Sequence, residues 1–147
     1  MEDNFMPNYV RNLLVIIGKS TNVKRVLASL RSEHSLFDME KIIPIPKNSK
    51  EDIHNWKKAH WGATDAVDCV QNRENIISFS TSWTPPLKAV EALAWKFPEV
   101  NIRYYWANDD IGTDTGMQVW KEGELIEETR PYNMVYYYCW GSVNLTA

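Results

Sequence analysis

Histidine and cysteine are the residue types in this sequence best suited to bind a transition metal or to act as nucleophiles, and the chain has three histidines and two cysteines. His54 and His60 are six residues apart, so they do not share one helical face as residues at i and i+4 would. Together with Cys69 they could supply three ligands, but no pair has the spacing of a zinc site. Cys139 lies among aromatic residues with no base indicated nearby, which disfavours a nucleophilic role. We therefore expect reduced thiols, surface or hydrogen-bonded histidines, no cofactor and no metal.

Carboxylates are the other group with chemical potential, and they cluster towards the C-terminal end of the chain. Seven fall within twenty residues, opposed only by Lys121: Asp109, Asp110, Asp114, Glu122, Glu124, Glu127 and Glu128. The three aspartates flank Gly112 as in a calcium loop, but the EF-hand spacing and its terminal bidentate glutamate are absent. Paired carboxylates also serve as general acids and bases, although nothing in the sequence indicates a pocket around them. The pattern favours a solvated acidic surface, and an enzyme that uses the 109–114 loop on a metal or small ligand is the weaker alternative.

Formal charge is divided unevenly along the chain. Residues 1–60 carry ten Lys or Arg and seven Asp or Glu, whereas residues 61–147 carry six and twelve. A bound nucleic acid would have to avoid the acidic half, because phosphate neutralisation supplies most nonspecific affinity. An acidic surface is instead suited to steering onto a basic protein. The charges favour a protein partner and disfavour nucleic acid, with a nucleic-acid-binding accessory domain as the first alternative.

Apolar periodicity predicts an alternating series of strands and helices. Residues 12–17 form a continuous apolar strand, and an amphipathic helix with Ser20 or Thr21 as N-cap follows and ends near Ser32. Residues 37–46 are expected to be extended, and Ser49 is expected to cap a short helix over 49–60. The remaining predicted elements are strands at 66–70 and 76–82 joined by 71–74, a helix at 86–97, a strand at 101–107, and a hairpin of 115–121 and 124–129 around Glu122-Gly123.

From residue 12 to residue 107 the predicted order is strand, helix, strand, strand, helix, strand. This is the split βαβ pattern of a ferredoxin-like α+β fold, with two helices on one face of an antiparallel sheet and a C-terminal β-hairpin extension. The length predicts one domain over 9–147 after a flexible N-terminus of residues 1–8. The aromatic tail at 132–140 adds a strand or packs as a lid. Because no apolar run reaches about 18 residues and no signal peptide is evident, we expect a cytoplasmic protein without a membrane partner.

The run Ser82-Trp83-Thr84-Pro85-Pro86 joins a strand to a helix, since proline fits the first helical turn and the residue before it is extended. Further segments of uncommon composition accompany it along the chain: Met6-Pro7-Asn8, residues 37–46, Asn55-Trp56, Trp61-Gly62 and Phe97-Pro98. In this order they resemble the YubB-type ferredoxin-like domain family, found in small proteins of phages, plasmids and other bacterial mobile elements. The resemblance implies the fold and that setting, and no catalytic residue. It also implies structural roles for the motif residues Trp56, Trp61, Gly62, Trp83, Pro85 and Pro86.

Trp95 is the residue that we single out for binding. On the predicted helix it lies roughly 140° from the centre of the apolar arc, so it is either covered by the C-terminal segment or available to a partner. The predicted partner-binding set combines it with five acidic residues: Asp109, Asp110, Asp114, Glu122 and Glu124. We expect a non-enzymatic phage or plasmid accessory protein that binds and modulates a host or element-encoded protein, for example as a counter-defence inhibitor. Homodimerisation through a sheet edge or Trp95 stays open.

Overall fold

The computed structural model describes residues 8–48, 50–110, 114–129 and 133–141. Their order follows the predicted pattern, including the short helix expected within 49–60, and adds a 3₁₀ helix in the 37–46 segment and an α-helix at the C-terminal end. The elements are β1 (Tyr9–Ile17), α1 (Ser20–Leu30), a 3₁₀ helix (Met39–Lys41), α2 (Ile53–His60), β2 (Ala66–Arg73), β3 (Ile76–Ser82), α3 (Leu87–Lys96), β4 (Asn101–Asn108), β5 (Thr115–Lys121), β6 (Glu124–Thr129) and α4 (Asn133–Gly141).

The six strands form one sheet in the order β2-β3-β1-β4-β5-β6, and every neighbouring pair is antiparallel. β1 lies at the centre, where Asn12 is opposite Phe79 of β3 on one side and Trp106 of β4 on the other. β3 lies between β1 and β2, which is the defining split of the βαβ unit. The predicted ferredoxin-like α+β fold with its C-terminal hairpin extension is therefore confirmed.

One face of the sheet carries the main core. Alternate residues of β1, such as Leu14 and Ile16, are completely buried there, as period-two geometry requires. α1 and α3 supply the opposing apolar side chains, among them Val26 and Leu93, which are also fully buried. Because α1 and α3 pack on this face of the sheet, Trp95 of α3 lies on the same side of the molecule as the main core.

The other face of the sheet is partly covered by α4. Val135 and Cys139 of this helix are buried against Ala107, with Tyr105 and Met117 packed around them. The tail expected to add a strand or pack as a lid is thus a helix laid across β4, β1 and β5. Its aromatic residues suggested a strand, but packing against the sheet outweighs such a preference.

Several element ends differ from the sequence expectations. Asp52 is the N-cap of α2, with its side chain accepting a hydrogen bond from the Asn55 N–H at 3.2 Å, whereas Ser49 lies outside the described residues. α1 begins after Lys19 without a side-chain cap. The 37–46 segment is not wholly extended, because it contains the 3₁₀ helix. β2 continues to Arg73, so the turn to β3 comes later than expected.

The N-terminal segment predicted to be flexible lies outside the described residues up to Pro7. Asn8 is described, and its carbonyl accepts a hydrogen bond from the Trp83 N–H at 2.8 Å. Within the described ranges, no helix is both long and apolar enough to cross a bilayer.

Candidate protein-binding surface

Trp95 is the most exposed tryptophan of the described residues. Its neighbours Leu93 and Ala94 face the core, while 62% of Trp95 remains accessible. α4 does not cover it, since that helix lies on the opposite face of the sheet. A large aromatic ring left in water on a regular helix is a typical anchor for another protein.

The turn between β5 and β6 lies against α3 beside Trp95. A Cβ atom added to Gly123 would be 3.6 Å from the carbonyl oxygen of Ala94 and 3.9 Å from the Cα of Trp95. Gly123 has φ +79° and Glu122 has φ +52°, the left-handed pair that a tight hairpin turn prefers. The predicted Glu122-Gly123 turn is therefore present, and it lies against the backbone of α3 at Trp95.

β6 continues this surface to the edge of the sheet. Residues 124–128 are all exposed, and the strand pairs only with β5 among the described strands. Leu125 and Ile126 are 42% and 53% exposed, between the carboxylates of Glu124 and Glu127. Trp95, the Glu122-Gly123 turn and β6 together form what we call the Trp95 surface, which combines apolar area, negative charge and an open strand edge.

The remaining predicted acidic residues lie elsewhere. Asp109 and Asp110 follow β4 and Asp114 precedes β5, so the length of β5 separates them from Glu122 and Glu124 by roughly 25 Å. The single acidic patch expected from sequence is thus two groups. Of the described residues, no cluster of His, Cys, Asp or Glu could hold a metal ion.

The aspartates of the second group make specific contacts within the fold. Asp109 binds the start of β1 twice, through its N–H to the Tyr9 carbonyl at 2.9 Å and through its carboxylate to the Tyr9 N–H at 3.2 Å. The Asp114 carboxylate accepts a hydrogen bond from Trp106 Nε1 at 3.1 Å. The Asp110 N–H donates to the Asn108 side chain at 2.9 Å. These contacts hold the ends of the neighbouring strands in place. This second group therefore has a structural role that differs from the binding role of the Trp95 surface.

The residues of the Trp-Gly motif are packed in the interior. Trp56 and Trp61 are buried in the core, and Trp61 Nε1 donates to the Ile43 carbonyl at 2.9 Å. Gly62 has φ +92°, and a Cβ there would be 3.0 Å from the Leu87 nitrogen at the start of α3. The motif is therefore a close contact between the end of α2 and the start of α3.

The strand-to-helix joint of residues 82–86 also contacts the Trp-Gly motif. Pro85 and Pro86 are buried, and the Thr84 hydroxyl donates to the Gly62 carbonyl at 2.7 Å. Thr84 does not cap α3, whose N-cap position is Pro86. Trp83 differs from the other motif residues, because it is 41% exposed with φ +68°. It lies four residues before the first residue of α3, at the end of that helix opposite to Trp95.

A charged residue that the sequence analysis did not single out lies under the α4 face. Arg11 of β1 is only 1% exposed. Its guanidinium donates to the Asp68 carbonyl and the Ser80 hydroxyl, both at 3.0 Å, and to the Ser78 hydroxyl at 2.9 Å. Burial lowers the pKa of this guanidinium, while the nearby Asp68 carboxylate acts in the opposite direction. The signal in the sequence was a positive charge directly before the strand predicted over 12–17, and the structure places that residue inside β1.

Other buried polar groups are paired within the core. The Tyr104 hydroxyl donates to the Asn12 side-chain oxygen at 2.5 Å, and the Asn12 amide donates in turn to the Thr81 hydroxyl. Burial raises the pKa of the Tyr104 hydroxyl well above its ordinary value, and burial likewise raises the pKa of the Cys139 thiol. Both groups are held neutral, which leaves Cys139 without nucleophilic character.

The aromatic residues of β4 do not form an open stacking platform. Tyr104 and Trp106 are completely buried on the helix-covered face. Tyr105 points to the other face, where the Tyr138 ring of α4 meets it edge-on at 5.8 Å between centroids. RNA recognition by a sheet of this kind uses exposed aromatic rings, which these three residues do not supply.

The sequence matches a family model described as the ferredoxin-like domain in Api92-like protein, over residues 58–134. The match covers half of the chain, from α2 to the start of α4. The chain belongs to this family. β1 and α1 lie before the matched segment, and β1 is the strand that joins β3 to β4 in the sheet. The ferredoxin-like part of the resemblance found in the sequence is therefore confirmed.

The structure is similar to the crystal structure of protein Api92 from Yersinia pseudotuberculosis, with a TM-score of 0.52 and 16% sequence identity. The similarity covers 64% of this chain and 39% of that chain, so this protein corresponds to well under half of Api92. At this identity the similarity shows the fold alone. No curated protein matches the sequence.

Proposed function

We propose that this protein is a non-enzymatic accessory protein that binds another protein through the Trp95 surface and modulates it. The observation that carries the proposal is the exposed Trp95 indole beside an acidic turn and an open strand edge. Interface anchors are enriched in tryptophan, and an exposed indole on a rigid helix loses little conformational entropy when it is bound. Leu125 is opposite Trp120 of the main core, so it lies on the same side of the sheet as Trp95 and extends the area that a partner would bury.

The charge of the surface indicates the chemistry of the partner. Two copies of β6 pairing with each other would bring glutamates of like charge together, which destabilises a strand pair. A basic segment would instead be attracted to the same edge and steered onto it. The partner is therefore a protein with a Lys- or Arg-rich surface, and an extended segment of it adds to β6 as a seventh strand.

The biological setting of the proposal comes from the YubB-type resemblance. A phage- or plasmid-encoded protein acting in the cytoplasm of its bacterial host meets many basic proteins, since proteins that bind nucleic acid carry positive surfaces. A host defence nuclease is one such target, and occupation of its DNA-binding surface would inhibit it. In this account the protein acts by binding alone, without a cofactor.

Affinity capture from a bacterial lysate, with and without nuclease treatment, tests the proposal. The expected result is a protein bound in stoichiometric amount that survives nuclease and is released by high salt, because exposed charges are screened. Trp95→Ala should weaken capture about 30-fold, as expected for a hot spot of ~2 kcal/mol. Its own stability should stay within about 0.5 kcal/mol of the unchanged protein, because the side chain is exposed.

Variants inside and outside the Trp95 surface test whether this surface is the one that binds the partner. Trp83→Ala removes another exposed tryptophan at the opposite end of α3 and should leave capture unchanged. Glu122→Lys combined with Glu124→Lys should abolish the salt-sensitive part of binding, whereas Asp110→Lys should not. Capture that disappears with nuclease would overturn the proposal in favour of nucleic acid. Equal losses for Trp95→Ala and Trp83→Ala would show that the Trp95 surface is not the binding site.

A further inference from the structure

The two edges of the sheet differ in how well they can accept another strand. β2 pairs with β3 through two register shifts, and Asp68 lies at the first of them with φ +52°. β6 has a single shift, where Ile126 has no residue opposite it on β5. Bulges of this kind protect a strand edge from pairing. Among the described strands, β6 is therefore the edge that is more accessible to a partner strand.

On one face of the sheet, β6 presents an apolar residue and a carboxylate. Leu125 is opposite Trp120 of the main core, and Glu128 is opposite Gln118. Gln118 and Trp120 are two residues apart on β5, so they point to the same face. Leu125 and Glu128 therefore lie on the face that α3 covers.

On the other face, β6 presents two carboxylates. Glu127 is opposite Val119 and Glu124 is opposite Lys121, and both of these β5 residues are adjacent to Trp120, so they point away from it. Both glutamates are exposed. A strand added to β6 therefore meets two carboxylates on this face and one on the face that α3 covers.

Glu128 is held in place from the interior of the fold. Its Oε2 accepts a hydrogen bond from Gln118 Nε2 at 3.0 Å, and Gln118 Oε1 accepts one from Trp120 Nε1 at 3.0 Å. Gln118 and Trp120 are buried, whereas Glu128 is exposed. The carboxylate is thus fixed at the edge of the sheet, and a carboxylate can accept several hydrogen bonds at once, including those of a guanidinium.

We infer that the segment that adds to β6 runs antiparallel to it and has the pattern basic-basic-apolar-basic, an inference that rests on the strand addition proposed above. From its first residue to its fourth, the segment lies opposite Glu128, Glu127, Leu125 and Glu124. Opposite charges directly across two strands stabilise the pair, and an apolar residue covers Leu125 without burying a charge against it. The antiparallel direction matches every other strand pair of the sheet and is slightly more stable per residue than the parallel one.

A capped peptide with this pattern, acetyl-Thr-Thr-Arg-Lys-Ile-Lys-Thr-Thr-amide, tests the inference by nuclear magnetic resonance on the full-length ¹⁵N-labelled protein. The amides of residues 124–128 should show saturable shifts with a Kd below about 1 mM at low salt, since a short peptide makes few contacts. A control peptide with the central order Lys-Ile-Lys-Arg has the same composition and charge. It should bind about fivefold more weakly, because an antiparallel strand of that order loses at least one of the charge pairs.

N-methylation distinguishes strand addition from charge attraction. Alternate N–H groups of an extended peptide face one edge, so only one alternating set can donate to β6. One peptide is methylated at the Arg and Ile nitrogens, and another at both Lys nitrogens. One of the two should lose binding more than about tenfold, and the other should bind like the unmethylated peptide.

Charge changes on β6 locate individual peptide residues. Glu128→Gln keeps a side-chain oxygen for Gln118 and should weaken peptide binding about fivefold. Glu33→Gln is the matched control, because Glu33 is exposed beside β2 at the opposite edge, and binding should not change. Glu127→Lys should weaken binding by at least as much as Glu128→Gln, and a peptide with Glu in place of its first Lys should restore it.

Three results would overturn the inference. Tighter binding of the control peptide of reversed order would assign the parallel direction. Equal binding of the two methylated peptides would show that charge attraction, without strand addition, holds the segment. Absence of saturable shifts on β6 would mean that its glutamates only protect the edge.

The peptide experiments fail separately from the proposed function. If the peptide does not bind β6 but capture of a partner still depends on Trp95, the strand pattern is overturned and the proposed function stands. Capture that ignores Trp95→Ala would overturn the proposed function whatever the peptide does.

Discussion

Replacing Gly116 with alanine should disrupt the packing of β5, the strand that connects the acidic edge to the rest of the sheet. Gly116 is directly opposite Trp106 in the β4–β5 pairing. A Cβ atom at this position would be 2.1 Å from Cζ2, 2.3 Å from Cη2 and 2.6 Å from Cε2 of the Trp106 ring. Real Cβ contacts essentially never fall below 3.0 Å, so either the ring or the strand must move.

Trp106 has little freedom to move away. It is completely buried, stacked on Tyr104 at 5.2 Å between ring centroids, and bonded through Nε1 to Asp114. Overpacking of a well-packed core costs ~1–3 kcal/mol, and the rigid contacts of this ring place Gly116→Ala at about 3 kcal/mol. For a chain of 147 residues that corresponds to a fall in Tm of roughly 10 °C.

A double-mutant cycle in urea measures whether the clash is the cause. Trp106→Phe removes the ring atoms that the new methyl group would meet, and alone it should cost about 2 kcal/mol through lost burial and one lost hydrogen bond. The double variant should then cost about 3 kcal/mol rather than the sum of ~5, a coupling of about 2 kcal/mol. Gly141→Ala is the control, since no described residue lies within 4 Å of its added Cβ, and its stability should not fall. A cost below about 0.5 kcal/mol for Gly116→Ala, or strict additivity in the cycle, would refute the packing described here.

Three further substitutions or conditions have defined outcomes. Tyr104→Phe leaves the buried Asn12 side-chain oxygen without its donor and should lower the free energy of unfolding by ~1–3 kcal/mol in urea, and an unchanged value would contradict this pairing. Gly62→Ala should cost more than about 2 kcal/mol, because the new side chain faces both φ +92° and a 3.0 Å contact, and an unchanged Tm would contradict that geometry. Because burial raises the pKa of Cys139 above its unfolded value of about 8.5, stability should be constant well below that pH and fall above it with a slope that approaches about 1.4 kcal/mol per pH unit. Cys139→Ala should remove this slope in urea titrations between about pH 8 and 9, below the range in which the buried Tyr104 contributes in the same direction.

Local signals in the sequence were sufficient for most elements of the fold. The strand over 76–82, the proline joint and the helix after it were predictable because alternation, proline geometry and helical periodicity agree over one short stretch. The Glu122-Gly123 turn was predictable for the same reason. Asp52 replaced Ser49 as the cap of α2 because caps depend on the backbone conformation of a single residue, which composition does not define.

The features that depend on distant contacts were not predictable. α4 was missed because its own residues favour a strand, and only the apolar face of β4 and β1 makes a helix preferable there. Arg11 was overlooked for a related reason, since its burial requires both α4 and the bulge at Asp68. The acidic residues that are close in sequence were expected in one patch. β5 lies between the two groups, so they are at opposite ends of that strand.

The placement of Trp95 shows the limit of a helical wheel. Its angle from the apolar arc showed that the side chain does not face the core. The sequence left open whether the C-terminal segment covers it or a partner can reach it, because the path of that segment was unknown. Since α4 packs on the far face of the sheet, the described part of that segment leaves the indole exposed.

Site-specific photo-crosslinking in bacterial cells tests the central proposal most directly. Trp95→p-benzoylphenylalanine keeps an aromatic side chain at the exposed position, and Trp83→p-benzoylphenylalanine is the matched probe at the opposite end of α3. The account predicts one discrete, nuclease-resistant protein adduct from position 95 that Glu122→Lys with Glu124→Lys removes, and no such adduct from position 83. An adduct from position 83 alone, a nucleic-acid adduct, or none from position 95 would contradict binding through the Trp95 surface.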